Sequence, residues 1–131
     1  MQRRSPWFRN GGKPHRGWYK GYWVDSSWEL AFLIWNLDHG FEIVRNSKNF
    51  PYPFRNGVKY YRPDFLVEGT YVEIKGVMDS RSKRKIESFP HPIKVIGARD
   101  IKPYLKYVES KYGKNFFTGT AYIDDFEAYA E

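Results

Sequence analysis

Residues 60–76 read YYRPDFLVEGTYVEIKG. Two short apolar runs flank a turn at Glu68-Gly69-Thr70, and a glycine turn between β-prone runs predicts an antiparallel hairpin. Its strands are expected over residues 59–67 and 71–75. Side chains alternate along a strand, so Glu73 and Lys75 share one face while Val72 and Ile74 share the other. Ile74 is expected to point into the core, with Glu73 and Lys75 held out by a rigid strand. Asp64 lies about as far before residue 69 as residues 73–75 lie after it, so it comes level with Glu73 or Lys75. Two carboxylates and an ammonium then converge at one end of a sheet.

Nearby carboxylates repel unless something positive lies between them, and oxygen donors suit a hard divalent cation. Mg²⁺ is the natural choice, with Mn²⁺ as a substitute. A cation held this way polarises a phosphate and lowers the pKa of a bound water, while a lysine orients or deprotonates that water. This is equipment for hydrolysing a phosphodiester. The plain alternative is an ordinary cross-strand or solvent-facing charge pair, because strands of the form apolar-Glu-apolar-Lys are common. Pro63-Asp64, nine residues before Glu73 and joined to it through a turn, makes the pattern more specific.

Composition bounds the rest. A chain of 131 residues closes one core and is short for two. Hydrophobic residues make up 41% and aromatics 20%, which excludes a disordered chain. With no cysteine, disulfides, thiolate metal sites and cysteine nucleophiles are out. No apolar run approaches a membrane span, and the N-terminus lacks the apolar centre of a signal peptide. The expectation is a soluble, cytoplasmic protein.

Twenty-two Lys and Arg against fifteen Asp and Glu leave a net charge of +7, unevenly spread. Residues 1–24 carry Arg3, Arg4, Arg9, Lys13, Arg16 and Lys20 with no acid before Asp25; residues 81–85 read RSKRK; the last thirteen residues carry only acids. A basic end and a basic segment favour a polyanion such as nucleic acid over a merely solvated surface. Trp7, Phe8, Trp18 and Tyr19 lie among the N-terminal cations, where aromatics can stack on bases while the cations hold phosphates. They can equally edge a core, the preferred reading for Tyr22 and Trp23. Residues 1–20 are therefore read as a basic aromatic arm and 21–131 as a single domain.

Along the chain, a helix is expected from near Asp25, with Ser26 and Glu29 in capping-box spacing and Gly40 as the stop. WELAFLIWNL is apolar on nearly every side, which predicts a buried helix. FEIVR at 41–45 reads as a strand. Residues 46–58, with Pro51, Pro53 and Asn56-Gly57, read as loop and turn. A basic helix is expected from Ser80 to Phe89 and a strand at 93–97. A last helix is expected with Asp100 as its cap, Pro103 in its first turn and Gly113 at its end. The order is helix, three strands, helix, strand, helix: an α/β (α+β) chain with a mixed sheet.

That order, with Pro63-Asp64 followed by Glu73-Ile74-Lys75, resembles the PD-(D/E)XK nuclease superfamily over residues from about 22 to 97. The resemblance implies a restriction-endonuclease-like core and a Mg²⁺-dependent DNA endonuclease. Asp64 and Glu73 would be metal ligands, the Ile74 backbone carbonyl would complete the shell, and Lys75 would be the catalytic lysine. Many members carry a further acid on the first helix. The stretch Ser26–Phe32 is similar to that element in small phage-type junction-resolving endonucleases and transposon end-cleaving nucleases, which puts Glu29 among the site residues. The bland role of Glu29 is the return half of the capping box, and Ser27 is better placed for capping than for chemistry.

Arg81, Lys83, Arg84 and Lys85 sit where the superfamily's second helix begins; Arg81, Lys83 and Lys85, with Arg9, Lys13, Arg16 and Lys20 of the arm, are the expected nucleic-acid contacts. His15, His39 and His91 have no ligand spacing, although His15 could touch a phosphate and His39 suits a helix C-terminus. Gly11-Gly12-Lys13 lacks Walker spacing, so no ATP use is expected. Cutting both strands with one site per chain requires two chains, so a homodimer is expected; the resemblance suggests a phage or mobile-element origin, in the bacterial host cell if phage-encoded. The alternatives are a monomeric nickase, an RNA-cleaving nuclease, and a nucleic-acid-binding module with an inactive nuclease fold.

Overall fold

The structure, a computed structural model, describes residues 17–117. Arg9, Lys13, Arg16, His15, the Gly11-Gly12-Lys13 run and the acidic C-terminal stretch lie outside the described residues. The chain divides into two compact units, one ending at Gly40 and resuming at Ile101, the other spanning Phe41–Asp100.

The described part of the first unit opens with β1 (Gly17–Tyr19) and β2 (Tyr22–Val24), paired antiparallel so that Trp18 faces Trp23. Lys20 and Gly21 form the turn with φ of +49° and +85°, the handedness that suits a two-residue hairpin. Residues 17–20, expected in the arm, therefore belong to a hairpin. Trp18 meets Trp23 edge to face at 5.2 Å, Tyr19 is buried, and the Lys20 ammonium sits 5.6 Å from the centre of the Tyr19 ring.

Helix α1 (Ser27–Asp38) follows, and Leu30, Ala31, Phe32, Leu33 and Ile34 are all buried, as its all-round apolar sequence demands. Ser26 is the N-cap, accepting from the Glu29 N–H at 3.2 Å. The Glu29 carboxylate reaches one residue further back than a regular capping box, taking the Asp25 N–H at 3.0 Å. Gly40 ends the helix in the left-handed region with φ +78°. His39, the C-cap, stacks on Trp35 at 4.0 Å and donates from its ring to the Trp35 carbonyl. Helix α3 (Lys102–Tyr112) lays Tyr104 against Phe32 and Trp35. Asp100 does not cap it: its carboxylate takes the Gly97 N–H at 3.2 Å, and the N-cap is Ile101, with no side-chain bond. Pro103 near the start keeps the helix competent, since the first turn needs no N–H donor there.

The second unit holds a four-stranded sheet ordered β3-β6-β7-β8, built from β3 (Ile43–Arg45), β6 (Phe65–Val67), β7 (Thr70–Ile74) and β8 (Ile93–Ile96). The first three strands are antiparallel and β8 runs parallel to β7. A parallel return needs a crossover, supplied by α2 (Ser80–Glu87) with Asp79 as its N-cap. The turn at Gly69, φ +81°, sets the β6–β7 register as Phe65↔Val72, Leu66↔Tyr71 and Val67↔Thr70.

Two expectations are corrected here. Residues 46–49 are irregular and a turn stands at 55–56, but the rest of 46–58 is not loop: β4 (Phe50–Phe54) and β5 (Gly57–Tyr61) make a separate two-stranded hairpin. Pro51 and Pro53 fit because β4 has a partner on one side only, so alternate N–H groups face away from the ladder and are dispensable. The strand expected over 59–67 is two strands, β5 and β6. Arg62-Pro63-Asp64 interrupts them, because proline cannot donate to a ladder and pushes its predecessor out of line. Among the described residues no helix is long and apolar enough to cross a membrane.

Candidate active site

The break at Pro63 shapes the end of the main sheet. Where the β6–β7 ladder stops, side chains take over its hydrogen bonds. The Asp64 carboxylate accepts from the Ile74 N–H at 2.8 Å. Asn46, just after β3 and buried, donates from Nδ2 to the Pro63 carbonyl and to the Lys48 carbonyl, each at 2.9 Å. Its backbone N–H donates to the Asp64 carbonyl at 3.1 Å, and its Oδ1 accepts from the Lys48 N–H at 3.0 Å. Asn46 thus clamps Pro63-Asp64 from the β3 side while Ile74 holds Asp64 from the β7 side.

Continued by one pair, the β6–β7 register would set Asp64 opposite Glu73. The charges of both acids act on the Tyr61 hydroxyl. Glu73, however, is not held out into solvent. Val72, Glu73 and Ile74 are all buried, because β7 has a strand on each side and both its faces are covered. The Glu73 side chain, 7% exposed, accepts from the Tyr61 hydroxyl at 2.9 Å. Tyr61, the last residue of β5, is itself buried. Burial and then the adjacent Glu73 charge, with Asp64 adding to it, push the Tyr61 hydroxyl well above its ordinary pKa, so it stays a neutral donor.

Lys75 follows directly after β7, half-buried, with its backbone N–H bonded to the Ile96 carbonyl at 3.0 Å. The Lys85 ammonium, from α2, lies 5.0 Å from the centre of the Tyr61 ring. Asp79 is held ionised below the usual carboxylate range, first by the Ser82 backbone and side-chain bonds and then by the charges of Lys75 and Lys85. Tyr61 thus gathers Glu73 and Lys85 about it, with the Asp64 charge also acting on it, while the Lys75 charge acts on Asp79. Arg81 is bonded instead to the Tyr52 hydroxyl at 3.1 Å, and Lys83 and Arg84 are exposed on α2.

Glu29 belongs to the other unit, buried on α1 and engaged in the cap described above. Ile74 meets Asp64 through its N–H, whereas the resemblance names its carbonyl. Among the described residues no three His, Asp or Glu side chains gather as a metal cage.

Tyr61 and Asn46 were not foreseen. Tyr61 stands beside Arg62-Pro63-Asp64 in the sequence, and a tyrosine at the end of a strand that abuts an acidic motif is a signal that could have found it. Asn46 carries no such signal, since the Pro63 carbonyl it holds lies seventeen residues away. No family model, no curated protein and no solved structure matches this chain.

Proposed function

We propose that this chain is a Mg²⁺-dependent DNA endonuclease of the PD-(D/E)XK kind. The observation that carries the reading is that the Asp64 carboxylate reaches the Ile74 N–H, one residue from Glu73, and that the charges of both acids act on Tyr61. The element order around it, helix, strand, hairpin, two strands, helix, strand, supports a restriction-endonuclease-like core with β4–β5 inserted. Asp64, Glu73 and the Ile74 carbonyl would hold the cation as hard oxygen donors. Once bound, such a cation supplies Lewis acidity toward a phosphate and an acidified water. Lys75 holds or takes the proton of the attacking water, and Lys85 offers charge to the phosphate. Tyr61 donates to Glu73 and fixes its rotamer. Glu29 is assigned to the same chemistry only by resemblance. DNA is the proposed substrate, a homodimer the proposed assembly and the cytoplasm the proposed location.

A second reading has an observation behind it. Tyr61 on Glu73 and the Ile74 N–H on Asp64 give both acids structural work. That suits a nucleic-acid-binding module whose nuclease centre is inactive. One experiment separates the two: supercoiled plasmid, a four-way junction, and single-stranded DNA and RNA, each incubated with and without Mg²⁺. Metal-dependent cleavage of DNA is the expected result. Retention without cleavage supports the binding module, and cleavage of RNA alone reassigns the substrate.

A further inference from the structure

The β4–β5 hairpin carries a second feature, at its tip. A cleft of about 430 Å³ is lined by the hairpin tip from Phe54 to Lys59 and by Arg81 of α2. Its lining contains Arg55, Lys59 and Arg81 and no acidic residue. Arg55 and Lys59 are exposed. We infer that this cleft grips the phosphate backbone of a nucleic acid, with Arg55, Lys59 and Arg81 as the contacting cations.

Three observations carry it. Arg81 is a positioned guanidinium: Nε donates to the hydroxyl of Tyr52, which is 2% exposed, at 3.1 Å. That uses one of the five N–H donors and sets the plane of the fork, the geometry that suits a phosphate. Arg55 occupies the turn with φ +57°, a left-handed conformation that glycine or asparagine adopts with less strain. A long cation stands at the tip where a small turn residue would be easier to accommodate. Finally, Lys59 and Tyr61 alternate onto the same face of β5, and Tyr52 pairs with Lys59 on that face. Tyr61 reaches Glu73, so the cleft and Glu73 are served by one face of one hairpin. Lys59 is two residues from Tyr61, roughly 7 Å along the strand, the span of a phosphate or two on one nucleic-acid strand. The choice of nucleic acid over other polyanions rests on the reading of Asp64 and Glu73 as a phosphodiester site.

The test is the affinity of the full chain for a DNA duplex in EDTA, measured across a salt series. Metal-free binding and cleavage are then separate readouts. Each phosphate deprived of its cation should lower the slope of log K against log salt by roughly 0.9, so Arg55→Asn with Lys59→Gln should lower it by about 1.8. Between about 50 and 200 mM salt, that difference makes the affinity loss about tenfold larger at the low end. Tyr52→Phe keeps every charge, so it should leave the slope alone and weaken binding roughly threefold. Should the double variant lose its melting temperature, Lys59→Gln alone is read, with a slope change of about 0.9. An unchanged slope in a folded variant overturns the inference. So does polyglutamate competing as well as DNA of equal charge, which would make the cleft a site for acidic protein. Intact metal-free binding with no cleavage under Mg²⁺ leaves the cleft standing and sinks the catalytic reading alone.

Discussion

Each unit of the molecule gathers carboxylate with tyrosine, and to opposite effect. In the first, Asp38 at the end of α1 takes hydrogen bonds on one oxygen from Tyr107 and Tyr112 at 2.8 Å and from the Lys111 ammonium at 3.2 Å. Burial opposes its ionisation, but the three donors from α3 outweigh it and hold Asp38 below the usual carboxylate range. Lys111 is correspondingly raised, by its bonds to Tyr107 and Asp38. One acid is met by three donors, and the result is a fastener between two helices. In the second unit the charges of two acids, Glu73 and Asp64, act on one buried tyrosine. Burial opposes ionisation in both places; three donors overcome it at Asp38, whereas at Tyr61 the neighbouring acids add to it.

The largest effect expected from breaking this contrast is at the two acids of the second unit. Asp64→Ala and Glu73→Ala should each lower Mg²⁺-dependent cleavage roughly a thousandfold or more, several kcal/mol of transition-state stabilisation. DNA binding should hold or tighten, since negative charge near phosphate has been removed; a fully active Asp64→Ala protein would end the nuclease reading. Lys75→Ala comes next. General acid–base help is worth about 10² to 10⁴ in rate, so turnover should drop within that range while Mg²⁺ affinity, measured by calorimetry, stays near wild type.

Stability effects are smaller and should fall where catalysis does not. Asp38→Ala leaves two tyrosines and a lysine without their acceptor and should cost about 2 kcal/mol by denaturant titration, with cleavage unchanged per folded molecule. Were that variant inactive though folded, the fastener would have to be reassigned to the site. Tyr61→Phe removes a buried donor to a carboxylate, a bond worth about 1.5 kcal/mol. Its cleavage should fall as well, because Glu73 loses the group that holds its rotamer.

The smallest expected effects are in pH, and the two regions differ in sign. Asp38 is depressed in the folded protein, so its contribution is present above the unfolded value of 3.8 and fades as pH falls below it. Tyr61 is raised, so its contribution is complete below 10.0 and fades as pH climbs beyond it. Asp38→Asn should flatten the acid limb of a stability profile and Tyr61→Phe the alkaline limb. A variant that flattens both limbs would show the two regions to be coupled.

Local chemistry was readable where a single residue decides. Gly40, Gly69 and Gly113 mark ends and turns because a positive φ suits glycine, and Ser26 caps because its hydroxyl meets the Glu29 N–H. The β6–β7 hairpin followed from the turn at Gly69. What escaped depended on partners remote in sequence. Pro51 and Pro53 look like loop residues until β4 is known to have one neighbour. Glu73 looks solvent-facing until β8 is known to lie beyond β7 and Tyr61 above it. Asp100 resembles a helix cap by type and position, yet a nearby backbone N–H at Gly97 claims its carboxylate instead.

The β4–β5 hairpin shares no backbone ladder with the four-stranded sheet among the described residues. It is fastened by side chains: Phe50 against Tyr71 and Phe89, Tyr61 against Phe89, and Arg81 on Tyr52. An appendage attached in this way is free to diverge. Insertions or exchanges between residues 53 and 58 change what the tip holds without shifting the register of β6 and β7.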